Sequence, residues 1–154
     1  MNISLLQKTL IVIGIVITAM SFMIIQLNNY AEDSSLSNWN EGITGYVSSI
    51  QDQKENNKPM MLFFYTDWCP SCKKLREEIL STPEVTDFMG DFLAVKINPE
   101  KGPLENQISE EFGVFGYPTI IIISGPNKTP ATIKRTSNIT PAQFIAQCRQ
   151  ALSA

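Results

Sequence analysis

The sequence predicts an α/β domain, a mixed four-stranded sheet with helices on both faces, preceded by one N-terminal transmembrane helix. Three observations point there. Residues 9–31 carry no charge, and 10–25 are almost wholly apolar. Three short apolar runs, at 60–65, 92–97 and 120–123, are separated by stretches with helical spacing of apolar residues. The third run is joined by a short turn to a more polar segment at 131–135, which suits an antiparallel hairpin at a sheet edge.

At the N-terminus, the uncharged stretch exceeds the about 20 residues that a membrane-spanning helix needs. A cleaved signal peptide is the competing explanation, but its apolar region is shorter and ends in small residues, whereas here the exit is Gln26-Leu27-Asn28-Asn29-Tyr30-Ala31. An uncleaved anchor is therefore expected, with 1–8 a cytoplasmic stub, 9–31 the anchor, 32–37 a linker and 38–154 the folded domain. No cysteine follows the apolar run to take a lipid. Lys8 lies on one flank and Glu32 and Asp33 on the other, so the basic flank is expected in the cytoplasm and the domain in the periplasm, a lumen or the exterior.

Within the domain, Trp39, Ile43, Tyr46, Val47 and Ile50 recur at helical spacing and predict a helix over 39–56, interrupted in propensity by Gly42 and Gly45. The first strand, 60–65, runs into Thr66-Asp67-Trp68-Cys69-Pro70-Ser71-Cys72 and then a helix reaching Leu80. Thr82 and Pro83 start another, with Val85, Phe88 and Met89 on its apolar side. After the second strand, Leu104, Ile108 and Phe112 mark a helix ending near Gly113. The third strand has no polar residue and reads as interior. Thr140-Pro141 opens a last helix carrying Phe144, Ile145, Cys148 and Leu152 on one face. Helices between the early strands imply parallel pairing.

Composition removes several functions. The 154 residues carry a formal net charge of −3, which leaves no basic face for nucleic acid. There is no histidine, which excludes Ser-His and Cys-His catalysis and histidine-ligated metals. Lys73 follows Cys72 where a haem-attachment motif needs histidine. Of three cysteines, Cys148 falls on an apolar helix face and is expected to behave as a small buried hydrophobe.

The remaining pair, Cys69 and Cys72, lies where a strand turns into a helix. With Cys69 at the N-cap and Pro70 at the first helical position, the Cys69 sulfur meets unpaired N–H groups and the positive end of the helix dipole. Both favour the thiolate; a free cysteine titrates at about 8.5, and this arrangement lowers it to about 3.5–7.5. Thiolate is the attacking species in disulfide exchange, and Cys72, one turn on, is placed to resolve a mixed disulfide. Two other readings stand beside the redox-active dithiol. One is half of a metal site, although zinc takes four ligands and no second pair exists; the other is a purely structural disulfide. Asp67 is either a solvated charge or a group that tunes the pair.

The run Trp68-Cys69-Pro70-Ser71-Cys72-Lys73 after an apolar strand, together with Gly116-Tyr117-Pro118-Thr119 before a later one, resembles the thioredoxin superfamily over about residues 39–154. Lys58-Pro59-Met60-Met61-Leu62 with Tyr65, Asp67 and Trp68 is most similar to membrane-anchored, exported thioredoxin-like proteins, including the C-terminal domain of DsbD-type thiol:disulfide interchange proteins. The resemblance implies a thioredoxin-like fold in which Cys69 is the nucleophile and Cys72 the resolving cysteine. Trp68, Pro70, Ser71 and Asp67 would flank the active site. Alone, Pro118 reads as a trans turn proline; the resemblance implies a cis bond that exposes the Tyr117 backbone to a substrate chain. Two positions depart from the family pattern: Phe63 stands where many relatives carry a buried aspartate, and Arg76 where DsbD-type domains carry an acid. Proton transfer from Cys72 is then left to water, Asp67 or a partner group.

The function so implied is a membrane-anchored thiol–disulfide oxidoreductase, a reductase or electron relay for disulfides of exported proteins. It needs no cofactor beyond the Cys69–Cys72 disulfide and no metal. Its partners would be protein disulfides and a membrane protein that donates electrons. The alternatives are a client-binding or scaffold module with an incidental dithiol, and a disulfide oxidase or isomerase.

Overall fold

In the computed structural model, residues 5–33, 36–134 and 136–153 are described. The chain divides into two compact units, residues 1–37 and 38–154. The first contains α1, Leu5–Asp33. Its stretch Gln7–Ile25 is long and apolar enough to cross a membrane by length and composition, a test that signal sequences also pass. The helix runs into the expected linker as far as Asp33; Ser34 and Ser35 lie outside the described residues, as do the first four residues of the expected stub.

The second unit is an α/β domain built from β1 (Asn40–Glu41), α2 (Gly42–Asn56), β2 (Met60–Phe64), α3 (Pro70–Leu75), a π-helical turn (Arg76–Leu80), α4 (Pro83–Met89), β3 (Leu93–Ile97), a 3-10 turn (Pro99–Lys101), α5 (Pro103–Glu111), β4 (Thr119–Ile123), β5 (Ala131–Thr132) and α6 (Pro141–Leu152). The sheet has five strands in the order β1-β3-β2-β4-β5, not the expected four. β1 is parallel to β3, β3 is parallel to β2, and the β2–β4 and β4–β5 pairs are antiparallel. The extra strand is two exposed polar residues paired with β3, so it leaves no apolar alternation to read. At the opposite edge β5 stops at Thr132; Arg135, the end of the expected strand, lies outside the described residues.

β1 also corrects the start of the next helix. Residues 39–41 were expected to be helical, but the helix begins at Gly42, whose φ of +61° suits glycine. Gly45 lets α2 approach β1: a Cβ there would sit 2.9 Å from the Asn40 backbone. Asn40 in turn donates from Nδ2 to the buried Ser49 Oγ at 2.8 Å. At the far end, buried Gln53 donates from Nε2 to the carbonyls of Lys58 and Ile123, tying α2 to the sheet.

β2 is buried at every position, so its two faces serve two cores. Met60, Leu62 and Phe64 pack with Val95, Ile97, Ile121 and Ile108, covered by Ile43, Tyr46 and Ile50 of α2 and by Phe112. By strand alternation Met61 and Phe63 point the other way, to the side where α6 packs on β4 and the π-helical turn. Trp39 joins that second side, its ring edge-on to Phe63 with centroids 6.3 Å apart, rather than the α2 stripe in which its spacing placed it. The helix after the cysteines widens at Arg76–Leu80, where Ser81 N–H reaches back to the Arg76 carbonyl. Thr82 begins α4 without a side-chain cap; its hydroxyl closes the preceding turn on the Ile79 carbonyl at 2.7 Å. α6 opens on a full capping box between Thr140 and Gln143.

Candidate active site

The site lies where β2 ends. Pairing with β3 continues one bond past the strand, from Tyr65 N–H to the Ile97 carbonyl, and the chain then turns through buried Thr66 and exposed Asp67 and Trp68. Cys69 N–H closes that turn on the Thr66 carbonyl at 3.3 Å. Cys69 is the N-cap of α3 in extended geometry, and Pro70 follows as the first helical residue, where its missing N–H leaves no bond unmade. The Cys69 sulfur accepts from the Cys72 N–H at 3.1 Å. The two cysteines form a disulfide with Cα atoms 5.3 Å apart. Both are buried, Cys69 6% and Cys72 3% exposed, while Pro70 and Ser71 between them face solvent.

The sheet register brings two further segments to this end. β2 and β4 are antiparallel with Phe64 opposite Thr119, so the loop before β4 lies beside the loop after β2. That loop carries the cis Tyr117–Pro118 bond, with both residues half-buried, and Phe115 fully exposed. β2 and β3 are parallel with Phe64 opposite Ile97, which puts the 3-10 turn after β3 at the same end. That turn grips the residues ahead of Cys69. The Trp68 indole N–H donates to both carboxylate oxygens of Glu100, at 2.9 and 3.1 Å, and Lys101 Nζ lies 2.7 Å from Asp67 Oδ2. Sequence reasoning missed Glu100 and Lys101. Their only signal is charge on a loop after a strand; the partners follow from register alone.

The two departing positions sit as follows. Phe63 is buried, its ring stacked on Tyr65 with centroids 5.4 Å apart, so an apolar layer fills this position. Its register neighbour Lys96 is buried, with Nζ 3.2 Å from Glu41 Oε2 on β1. Arg76 is half-buried at the start of the π-helical turn. Cys148 is fully buried on α6, and burial pushes its thiol up to about 12. Among the described residues, no group of three or more His, Cys, Asp or Glu side chains comes together as a metal site would require.

A disulfide at a strand–helix junction, on a mixed sheet flanked by helices and with a cis-proline loop at the same sheet end, defines a thioredoxin-like protein. The thioredoxin-like domain model matches residues 46–152, and the chain belongs to that family. It is 33% identical over 94 residues to the thiol:disulfide interchange protein DsbD of Photorhabdus laumondii, matching 60% of this chain and 15% of that protein. It is 30% identical over 93 residues to the disulfide bond reductase DsbH of Chlamydia pneumoniae, matching 54% of this chain and 56% of that one. The chain thus spans about one-seventh of the DsbD relative and just over half of the DsbH relative. Among solved structures, the reduced C-terminal domain of Neisseria meningitidis DsbD aligns with a TM-score of 0.58 at 25% identity, over 72% of this chain and 98% of that domain. A DsbH oxidoreductase aligns with a TM-score of 0.63 at 23% identity, over 70% and 81%, a likeness of fold.

Proposed function

We propose that this chain is a membrane-anchored thiol–disulfide oxidoreductase that reduces disulfides of exported proteins, with α1 as its anchor and the domain on the non-cytoplasmic side. The observation that carries this reading is the Cys69–Cys72 disulfide capping α3, with the first sulfur in a hydrogen bond to a helix N–H. The names of the DsbD and DsbH relatives support it, as does the exposed Trp68 beside the pair.

In the reduced state the Cys69 thiolate attacks one sulfur of a substrate disulfide. A Cys69–substrate disulfide forms, the substrate bond breaks, and the departing substrate sulfur takes a proton. Cys72 then loses its proton and attacks Cys69; the intramolecular disulfide forms and the second substrate thiol leaves. Two electrons have passed from the pair to the substrate, and its two sulfurs take up two protons, one equivalent to that released by Cys72 and one from solvent. A second dithiol, on a membrane protein supplied with electrons from the cytoplasm, must reverse the sequence to regenerate the pair. Asp67, Trp68, Pro70 and Ser71 form the rim on which the substrate approaches, and the Tyr117 backbone beside Pro118 is the ledge for its chain. Because Phe63 offers no proton acceptor, the proton of Cys72 leaves to water, to Asp67 or to a partner group.

Trapping tests this reading. Cys72→Ser is expected to accumulate mixed disulfides on Cys69 that reducing agent releases and that Cys69→Ser lacks. Unchanged client binding and phenotype in the double serine variant would instead mark a scaffold with an incidental dithiol. A potential near that of a strong oxidant, about −120 mV, would reverse the direction of flow.

A further inference from the structure

The mechanism above leaves the 3-10 turn after β3 without a role, although it grips both residues that precede Cys69. Its base is fixed. Asn98 is 3% exposed, its side-chain oxygen accepts the Glu100 N–H at 3.0 Å, and its carbonyl accepts the Lys101 N–H at 3.0 Å. From that base two opposite charges reach across: the Glu100 carboxylate takes the Trp68 indole, and the Lys101 ammonium takes the Asp67 carboxylate at 2.7 Å. The bonds alternate in sign and address neighbouring residues. Lengthening or rotating the 66–69 turn would therefore break both together.

We propose that Lys101 is a positioning residue that sets the thiolate fraction of Cys69 through Asp67, with Glu100 holding Trp68 so that the ion pair stays in place. A carboxylate two residues before a thiol opposes loss of its proton. An ammonium bonded to that carboxylate cancels most of the field. This inference rests on Cys69 being the nucleophile. Other charges stand on the elements around the pair. Lys73 and Lys74 are on α3, the latter 3.9 Å from Glu78; Arg76 and Glu77 follow on the π-helical turn. Lys96 and Glu41 pair across the sheet, and Tyr117 is the titratable group on the cis-proline loop. Substitutions at residues 67 and 101 leave all of these side chains in the chain, and the double variant isolates the coupling between the two.

The experiment follows the rate of iodoacetamide alkylation at Cys69 against pH, read by mass spectrometry on the reduced full chain. Lys101→Ala should move the profile to higher pH and slow alkylation at pH 6 about two- to fivefold, the range of an exposed ion pair. Lys101→Arg should restore the parent profile. Asp67→Asn should move it to lower pH. Asp67→Asn combined with Lys101→Ala should return close to the parent, a cancellation that loss of packing does not produce. High salt should shrink every difference. Shifts of the two single variants in the same direction, or no shift in either, overturn the role of Lys101 while leaving Cys69 as nucleophile. A parent Cys69 that alkylates no faster than in the urea-unfolded chain overturns the nucleophile reading, and this inference with it.

Discussion

At the scale of single residues, the three cysteines divide by environment. Cys69 and Cys72 sit at a helix start next to solvent-facing Pro70 and Ser71, whereas Cys148 is wholly enclosed. Burial raises the Cys148 thiol to about 12, so the folded chain keeps a proton that the unfolded chain releases above about 8.5. Between those values the unfolded state binds fewer protons, and stability falls as pH rises. Urea unfolding between pH 8 and 11 should show this slope, and Cys148→Ala should make it shallower. Tyr46, raised first by burial and then by Glu111, adds a slope of the same sign at higher pH. In the reduced native chain Cys148 should resist thiol reagents that modify Cys69, and become reactive on unfolding. Both the place of the cysteine pair at a helix start and the enclosure of the third cysteine were legible from sequence, since each depends on its nearest neighbours along the chain. Glu100 and Lys101 were not, because nothing local to them names Asp67 or Trp68.

At the scale of elements, what could be read depended on whether an element carries its own signal. β2 is apolar throughout and β4 is apolar after Thr119, and both announce themselves. α6 is bracketed by Thr140-Pro141 and shows its apolar face, and its capping box is complete; Thr140→Ala should cost about 1 kcal/mol in unfolding free energy. β1 has no such signal, and apolar spacing alone accordingly starts α2 three residues early. The two glycines that weakened the helical reading have a packing reason: Gly42 turns the chain with positive φ and Gly45 admits the Asn40 backbone. Gly45→Ala, favourable by helix propensity, should instead destabilise the domain by about 1–3 kcal/mol, because the added methyl must displace β1. Denaturant midpoints of the two variants check both values.

At the scale of the whole molecule, the two units predict separable properties. Residues 38–154 hold the entire sheet and both cysteines of the pair. Removing residues 1–37 should move the protein from the membrane fraction to the soluble one while leaving its disulfide reduction in vitro unchanged; a fragment still pelleting with membranes would remove α1 as the sole anchor. By itself, the sequence determined the α/β class, the place of the cysteine pair at a strand–helix junction and the presence of an apolar N-terminal helix. These depend on residue spacing and on chemistry within a few positions. Only the tertiary structure decided what surrounds the pair. Parallel pairing of β2 with β3 brings Glu100 and Lys101 onto Trp68 and Asp67, and antiparallel pairing with β4 brings Pro118 alongside. Such contacts join residues some thirty or more positions apart, and sheet register, which no local pattern encodes, is what selects them.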